Sequence, residues 1–135
     1  MADPNAPVFE SNTAEAFLAA IGVQAAVANP AVPAFVSANA GSGKTKVLID
    51  RLARLLLRRD DGRKGAEPDS ILCITYTKAA ASEMLSRLFK TLGRWSVMED
   101  EKLRKELAKL EGRKEAAYTP DDLKAARALF ARALE

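Results

Sequence analysis

Apolar residues recur along the chain with two different periods, and the change of period divides it into elements. Val32–Ala38 (VPAFVSA) is a short, nearly continuous apolar run that enters a Gly-rich turn, the pattern of a buried strand. From Lys44 to Arg58 the period becomes helical: Val47, Leu48, Leu52, Leu55 and Leu56 fall on one face, and Arg51, Arg54 and Arg58 on another. The run RRDDGRKGAEPDS then reads as an exposed loop. Ile71–Thr77 (ILCITYT) is apolar and β-branched, a second buried strand. Strand, helix and strand joined by a crossover of this length predict a right-handed βαβ unit with parallel strands.

Everything after Thr77 has helical spacing. Lys78–Leu92 places Ala80, Met84, Leu85, Leu88, Phe89 and Leu92 on one side, suited to lying on a sheet. Ser96-Val97-Met98-Glu99 fits a capping box and predicts a helix from there to about Glu111, with Gly112 as its terminator. Thr119-Pro120-Asp121-Asp122 offers a Thr N-cap, Pro at the first helical position and acids in the positive first turn. Leu123, Ala126, Leu129, Phe130 and Ala133 then line one face of a last helix. The period is unbroken at Glu135, and two parallel strands cannot form a sheet covered on both faces. The expected architecture is therefore the N-terminal part of a larger α/β domain, a parallel sheet followed by a helical segment.

Composition narrows the chemistry. With 135 residues, 48% hydrophobic and 29% charged, the chain is at most one globular domain. No apolar stretch approaches the roughly 18–20 residues of a membrane span, and MADPNAPVFESN has neither the basic nor the apolar region of a secretory signal, so no membrane association and a cytoplasmic location are expected. One cysteine, Cys73, and no histidine exclude an internal disulfide, zinc fingers and His-dependent nucleophiles. Cys73 itself reads as a small buried strand residue. The net charge is only +3, yet residues 44–64 hold Lys44, Lys46, Arg51, Arg54, Arg58, Arg59, Arg63 and Lys64 against Asp50, Asp60 and Asp61. That stretch suits either a solvated helix face and loop or a polyanionic partner.

Ala38-Asn39-Ala40-Gly41-Ser42-Gly43-Lys44-Thr45 differs from the phosphate-loop pattern G-x-x-x-x-G-K-[ST] only by Ala38 in the first position. Gly41 and Gly43 free the backbone so that successive N–H groups, from Ala40 through Ser42 to Thr45, can point at phosphate, and the following helix adds its positive end. Lys44 is expected to reach the β- and γ-phosphates of a nucleotide, and the Thr45 hydroxyl to coordinate magnesium. The carboxylates that hydrolysis requires are not evident. Val97-Met98-Glu99-Asp100-Glu101 has too few apolar residues before its acids to be a strand ending in a magnesium ligand, so this chain is expected to bind nucleotide without turning it over.

The loop followed 30 residues later by Thr75-Tyr76-Thr77-Lys78-Ala79-Ala80-Ala81-Ser82-Glu83-Met84 resembles motifs I and Ia of superfamily 1 DNA helicases, the UvrD/Rep group. Gln24, 20 residues before Lys44, is similar to the Q motif of that group. Lys78 and Ala79 depart from the T-F-T-N-K-A-A-x-E-M pattern of UvrD-like enzymes. With Val36–Gly41 before the loop and Gly93-Arg94-Trp95 after the helix, the departure resembles the AddA-type subunits of bacterial double-strand-break repair helicase–nucleases. The resemblance implies a RecA-like P-loop fold in residues 1–95, with 96–135 a helical insertion. It implies ATP and Mg2+ as cofactors, 3′→5′ unwinding of DNA ends, a nuclease elsewhere in the parent and an AddB-like partner protein. Thr75, Tyr76, Thr77 and Lys78 would contact single-stranded DNA, and Gln24 would select adenine. Trp95 reads as a core or interface aromatic. Two other readings stay open: another P-loop enzyme such as a nucleotide kinase or GTPase, although no N-K-x-D run is present, and a non-catalytic module binding nucleic acid or anions.

Overall fold

The computed structural model describes residues 22–37 and 43–135. Residues 22–27 are helical. Four longer helices follow: α1, Lys44–Leu56; α2, Lys78–Ser96; α3, Asp100–Glu111; and α4, Pro120–Leu134. Single 3-10 turns occur at Pro68–Ser70 and Glu115–Ala117.

The two expected strands are not paired, and no strand occurs among the described residues. The parallel-sheet α/β, RecA-like P-loop fold expected from the sequence is therefore corrected to a helical assembly. Residues 33–37 and 71–75 carry no regular secondary structure, and Phe35, Leu72, Ile74 and Tyr76 are 93, 84, 85 and 107% exposed. Cys73, expected to be buried, is exposed as well. The physical reason lies in the count of strands. A parallel pair is stable only inside a sheet with further strands and with helices on both faces, and two segments cannot supply that.

The helices instead bury one another. Leu92, Trp95, Leu103, Leu107, Leu123, Ala126 and Leu129 are almost fully enclosed, and α1 adds Leu52, Ala53 and Leu56 to the same continuous core. The most extensive contact is between α2 and α4. There Phe89 meets Phe130 edge to face, with centroids 6.5 Å apart, and a β-carbon at Gly93 would lie 3.4 Å from the Phe130 ring. Trp95 donates its indole N–H to Glu106 at 2.8 Å, so the polar edge of the largest core residue is satisfied. Burial on α1 is rotated from the sequence expectation: Val47, Ile49, Leu52, Ala53 and Leu56 face inward, while Leu48 is exposed.

The expected ends hold in part. Gly112 terminates α3 in the left-handed conformation (φ 68°). Thr119 caps α4 in a reciprocal box with Asp122. Ser96 is not an N-cap, however. It is the last residue of α2 and donates to the Gly93 carbonyl at 2.6 Å, and α3 starts after Glu99, which makes no side-chain cap. Helix propagation through Trp95, anchored by its burial, overrides the local capping signal.

Asp122 also joins α4 to the end of α1, its carboxylate 3.1 Å from the Arg58 guanidinium. Burial alone would raise this carboxyl. Hydrogen bonds from the Thr119 backbone and hydroxyl, and from Arg58, outweigh it and hold Asp122 below the usual carboxylate value. A group whose pKa is depressed by folding stabilises the fold above its unfolded value and stops doing so as pH falls through its folded one. Asp122→Asn is thus expected to cost about 1–2 kcal/mol at neutral pH and progressively less as acid protonates the parent. Urea unfolding of both proteins along a pH series checks this; a cost that does not shrink in acid contradicts it.

Candidate functional site

Gly43 is the N-cap of α1, with φ 89° and ψ 13°, a left-handed conformation that side chains beyond glycine adopt only with strain. Space imposes the same choice. A β-carbon at Gly43 would lie 2.8 Å from the Gln24 side-chain amide nitrogen. The structure thus brings Gln24 against the base of the phosphate-loop motif, 20 residues away in sequence. Lys44 and Thr45 follow as the first two residues of α1, both exposed. Ala38, Ala40, Gly41 and Ser42 lie outside the described residues.

The segment that follows Gln24 is tied to arginines of α1. The Arg51 guanidinium donates to the carbonyls of Val27, Asn29 and Val32 at 3.0, 2.8 and 2.7 Å, and Arg54 donates to Ala25 at 3.0 Å. The chain turns at Asn29, with the Ala31 N–H donating to Asn29 Oδ1 at 3.0 Å. These contacts change the reading of the basic stretch. Arg51 and Arg54 bind the chain's own backbone, Lys46 pairs with Asp50, Arg58 with Asp122, Arg63 with Asp61 and Lys64 with Glu67. Most of residues 44–64 is therefore committed within the molecule rather than offered to a polyanion. No periodicity announces such an arginine-to-carbonyl clamp; the nearest sequence signal is the Arg face of α1.

The second group gathers at the start of α2. Thr77 is the N-cap, its hydroxyl accepting from Ala80 N–H at 3.1 Å, and Thr75 donates its hydroxyl to the Thr77 carbonyl at 2.8 Å. Tyr76 projects fully into solvent between them, and Lys78 is the first helical residue, exposed. Nothing described packs on the Tyr76 ring.

Electrostatics sets α1 and α2 apart from the other helices. α3 and α4 neutralise their positive ends with Asp100 and Glu101, and with Asp121 and Asp122. α1 and α2 have no acid in the first turn and begin instead with Lys44 and Lys78. A cation at that end is unfavourable by about 0.3–1 kcal/mol, so both helices start in a way that suits a bound anion better than an isolated helix. Among the described residues no group of His, Cys, Asp or Glu could hold a metal ion, and Glu99 is exposed beside the start of α3. Any magnesium at Thr45 would depend on phosphate oxygens and on carboxylates outside this group.

Comparison with known proteins adds to this geometry. The UvrD/REP helicase N-terminal domain family matches residues 22–125. An ATP-dependent helicase/nuclease subunit from Latilactobacillus sakei subsp. sakei (strain 23K) is 45% identical over 65 residues, which is 48% of this chain and 7% of that protein. Its namesake from Clostridium novyi (strain NT) is 44% identical over 59 residues, 44% of this chain and 4% of its own. The ATP-dependent DNA helicase PcrA of Staphylococcus aureus (strain Mu50) is 44% identical over 61 residues, 45% of this chain and 8% of its own. The aligned region is thus less than a tenth of each of these relatives. No solved structure matches the chain.

Proposed function

This chain belongs to the UvrD/REP helicase N-terminal domain family, and on that premise we propose that it carries the nucleotide-binding loop and first DNA contact of an ATP-dependent DNA helicase motor. The observation that carries the reading is the placement of Gln24 against Gly43, directly before Lys44 and Thr45 in a helix whose first turn holds no acid. An amide side chain offers a donor and an acceptor together, the pair that an adenine edge needs and a guanine edge mismatches. Ala40, Gly41, Ser42, Gly43, Lys44 and Thr45 are assigned to the phosphates, with Thr45 also on magnesium. Bound ATP with Mg2+ supplies the phosphoryl transfer that drives the motor. The residues of this chain grip the base and the phosphate charge, and the hydrolytic carboxylates are assigned to the rest of the parent protein.

Thr75, Tyr76, Thr77 and Lys78 are assigned to single-stranded DNA. The hydroxyls and the open end of α2 suit phosphate, and an exposed phenol suits a base face. Residues 1–95 are read as the motor part and 96–135 as a helical insertion. The finer reading places the parent among helicase–nucleases acting at double-strand breaks in the cytoplasm with an AddB-like partner. It rests on the two helicase/nuclease relatives and on the Lys78-Ala79 departure. No described helix is long and apolar enough to cross a membrane.

Gln24→Ala is expected to weaken ATP binding and to narrow discrimination between ATP and GTP by about 1–3 kcal/mol, the worth of a bidentate base contact. Calorimetric titration of the chain with each nucleotide and magnesium, joined to a phosphate-release assay expected to stay at background, tests the reading. Equal ATP/GTP ratios in parent and variant remove Gln24 from the site.

A further inference from the structure

Glu111, the last residue of α3, sits half-buried in a cluster of polar side chains that neither proposed site uses. The Tyr118 hydroxyl stands 3.0 Å from Glu111 Oε1 and 2.9 Å from the Leu107 carbonyl. Arg113 lies over the Tyr118 ring, 4.7 Å from its centroid, and pairs with Asp60 at 3.0 Å. Arg54 approaches from α1, and its charge acts on the Glu111 carboxylate. That guanidinium donates to the Ala25 carbonyl at 3.0 Å, but it forms no ion pair among the described residues and its Nε is enclosed without an acceptor. Ala25 is the neighbour of Gln24.

A phenol carries one hydrogen, so Tyr118 cannot donate to both oxygens at once. Two proton arrangements fit the distances. With Glu111 ionised, Tyr118 donates to the carboxylate, and a negative charge stands near Arg54. With Glu111 protonated, the carboxyl donates to the phenol oxygen, Tyr118 donates to the Leu107 carbonyl, and that charge is gone. Burial moves the Glu111 carboxyl above its usual value, with Asp60 adding to the rise, against the Tyr118 hydrogen bond and the charges of Arg113 and Arg54. The two arrangements therefore exchange above the ordinary carboxylate range, while burial and Glu111 push Tyr118 up and keep it protonated throughout. A guanidinium withdrawn from water needs a counter-charge, so the ionised arrangement is the one that keeps Arg54 against Ala25.

We propose that Glu111 is a positioning residue for the nucleotide site: as a carboxylate it holds Arg54 on the Ala25 carbonyl and so orders the segment that carries Gln24, and its protonation loosens that segment. The consequence for nucleotide rests on the reading of Gln24 as the adenine contact; the link from Glu111 to Ala25 does not. This role and simple support of the fold have opposite signs. A carboxyl raised by folding favours the folded chain in acid, and that contribution is lost as pH rises through its folded value. The Ala25 link changes the other way, tightening as Glu111 ionises.

The test is amide hydrogen exchange, read by NMR on the whole chain from mildly acid to neutral pH, in the parent and in Glu111→Gln, which keeps the shape and removes the charge. Ala28, 1% exposed and donating to the Gln24 carbonyl at 2.9 Å, reports the segment; Leu107, in the shared core, reports the fold. At neutral pH Glu111→Gln is expected to lower Ala28 protection about tenfold, the scale of one hydrogen bond to a charged group, and to leave Leu107 unchanged. The parent's Ala28 protection is expected to fall in acid to the variant's value, while the variant shows no such change. In an Arg54→Gln background, Glu111→Gln is expected to add nothing. Ala28 protection unchanged by Glu111→Gln, equal losses at Ala28 and Leu107, or an undiminished effect beside Arg54→Gln each overturns the link. Saturating ATP with magnesium is expected to raise Ala28 protection in parent and variant, since a ligand that needs the ordered segment stabilises it. No rise in the parent overturns the nucleotide half through Gln24, and the exchange comparison without nucleotide still decides the link from Glu111 to Ala25.

Discussion

In the complete parent protein, Lys44→Ala is expected to reduce ATP hydrolysis at least about 10²–10³-fold, the penalty for removing one group aimed at charge that develops during transfer. Lys44 begins α1 directly after the left-handed Gly43, and the first turn of that helix holds no acid. In the proposed reading its charge meets the phosphates that the loop would hold. DNA affinity without nucleotide is expected to stay within error of the parent, because the residues proposed to meet DNA lie at the start of α2. Steady-state phosphate release and strand-displacement assays, run beside an equilibrium DNA titration, check both halves. Unwinding that survives the substitution contradicts the phosphate assignment, and parallel loss of DNA binding contradicts the separation of sites.

Trp95→Ala is expected to cost about 3–5 kcal/mol of folding stability, a large share of the roughly 5–15 kcal/mol available to a domain of ordinary stability. The ring is 1% exposed and belongs to the core shared by α1, α2, α3 and α4. Removing it leaves a cavity there and takes away one of the two donors to Glu106, although Arg94 keeps that carboxylate paired. Trp95→Phe should recover much of the packing and lose only the indole hydrogen bond. Urea unfolding followed by circular dichroism, which does not need the lost fluorophore, gives both values. A cost below about 1 kcal/mol for the alanine variant would show that the helices do not share one core.

Helices were legible in the sequence because their signals are local. The 3.6-residue period located α1, α2, α3 and α4, and Gly112 and Thr119 marked real ends. Strands require partners that can lie anywhere in a chain, and the apolar character of Val32–Ala38 and Ile71–Thr77 shows only that they suit a sheet. The same gap explains Leu48 and Cys73, whose side chains have no sheet to face. For the candidate site, the motif spacing pointed to the loop and the resemblance to the UvrD/Rep group pointed to Gln24, whereas the proximity of the two accompanies Arg51 and Arg54 reaching carbonyls 19–29 residues away. Charge counting left residues 44–64 open between a solvated face and a polyanionic partner, because the count does not show that Lys46, Arg51, Arg54, Arg58, Arg63 and Lys64 are committed within the molecule.

The arginine clamp has a thermodynamic consequence for ligand entry. Four guanidinium hydrogen bonds tie residues 25–32 to α1. Fixing one residue's backbone costs about 1–2 kcal/mol of conformational entropy, so if Gln24 reads adenine as proposed, a loose segment would lose that much affinity each time a nucleotide arrived. Tied down beforehand, the segment presents Gln24 already ordered, and the entropy is lost in folding the chain rather than in each binding event.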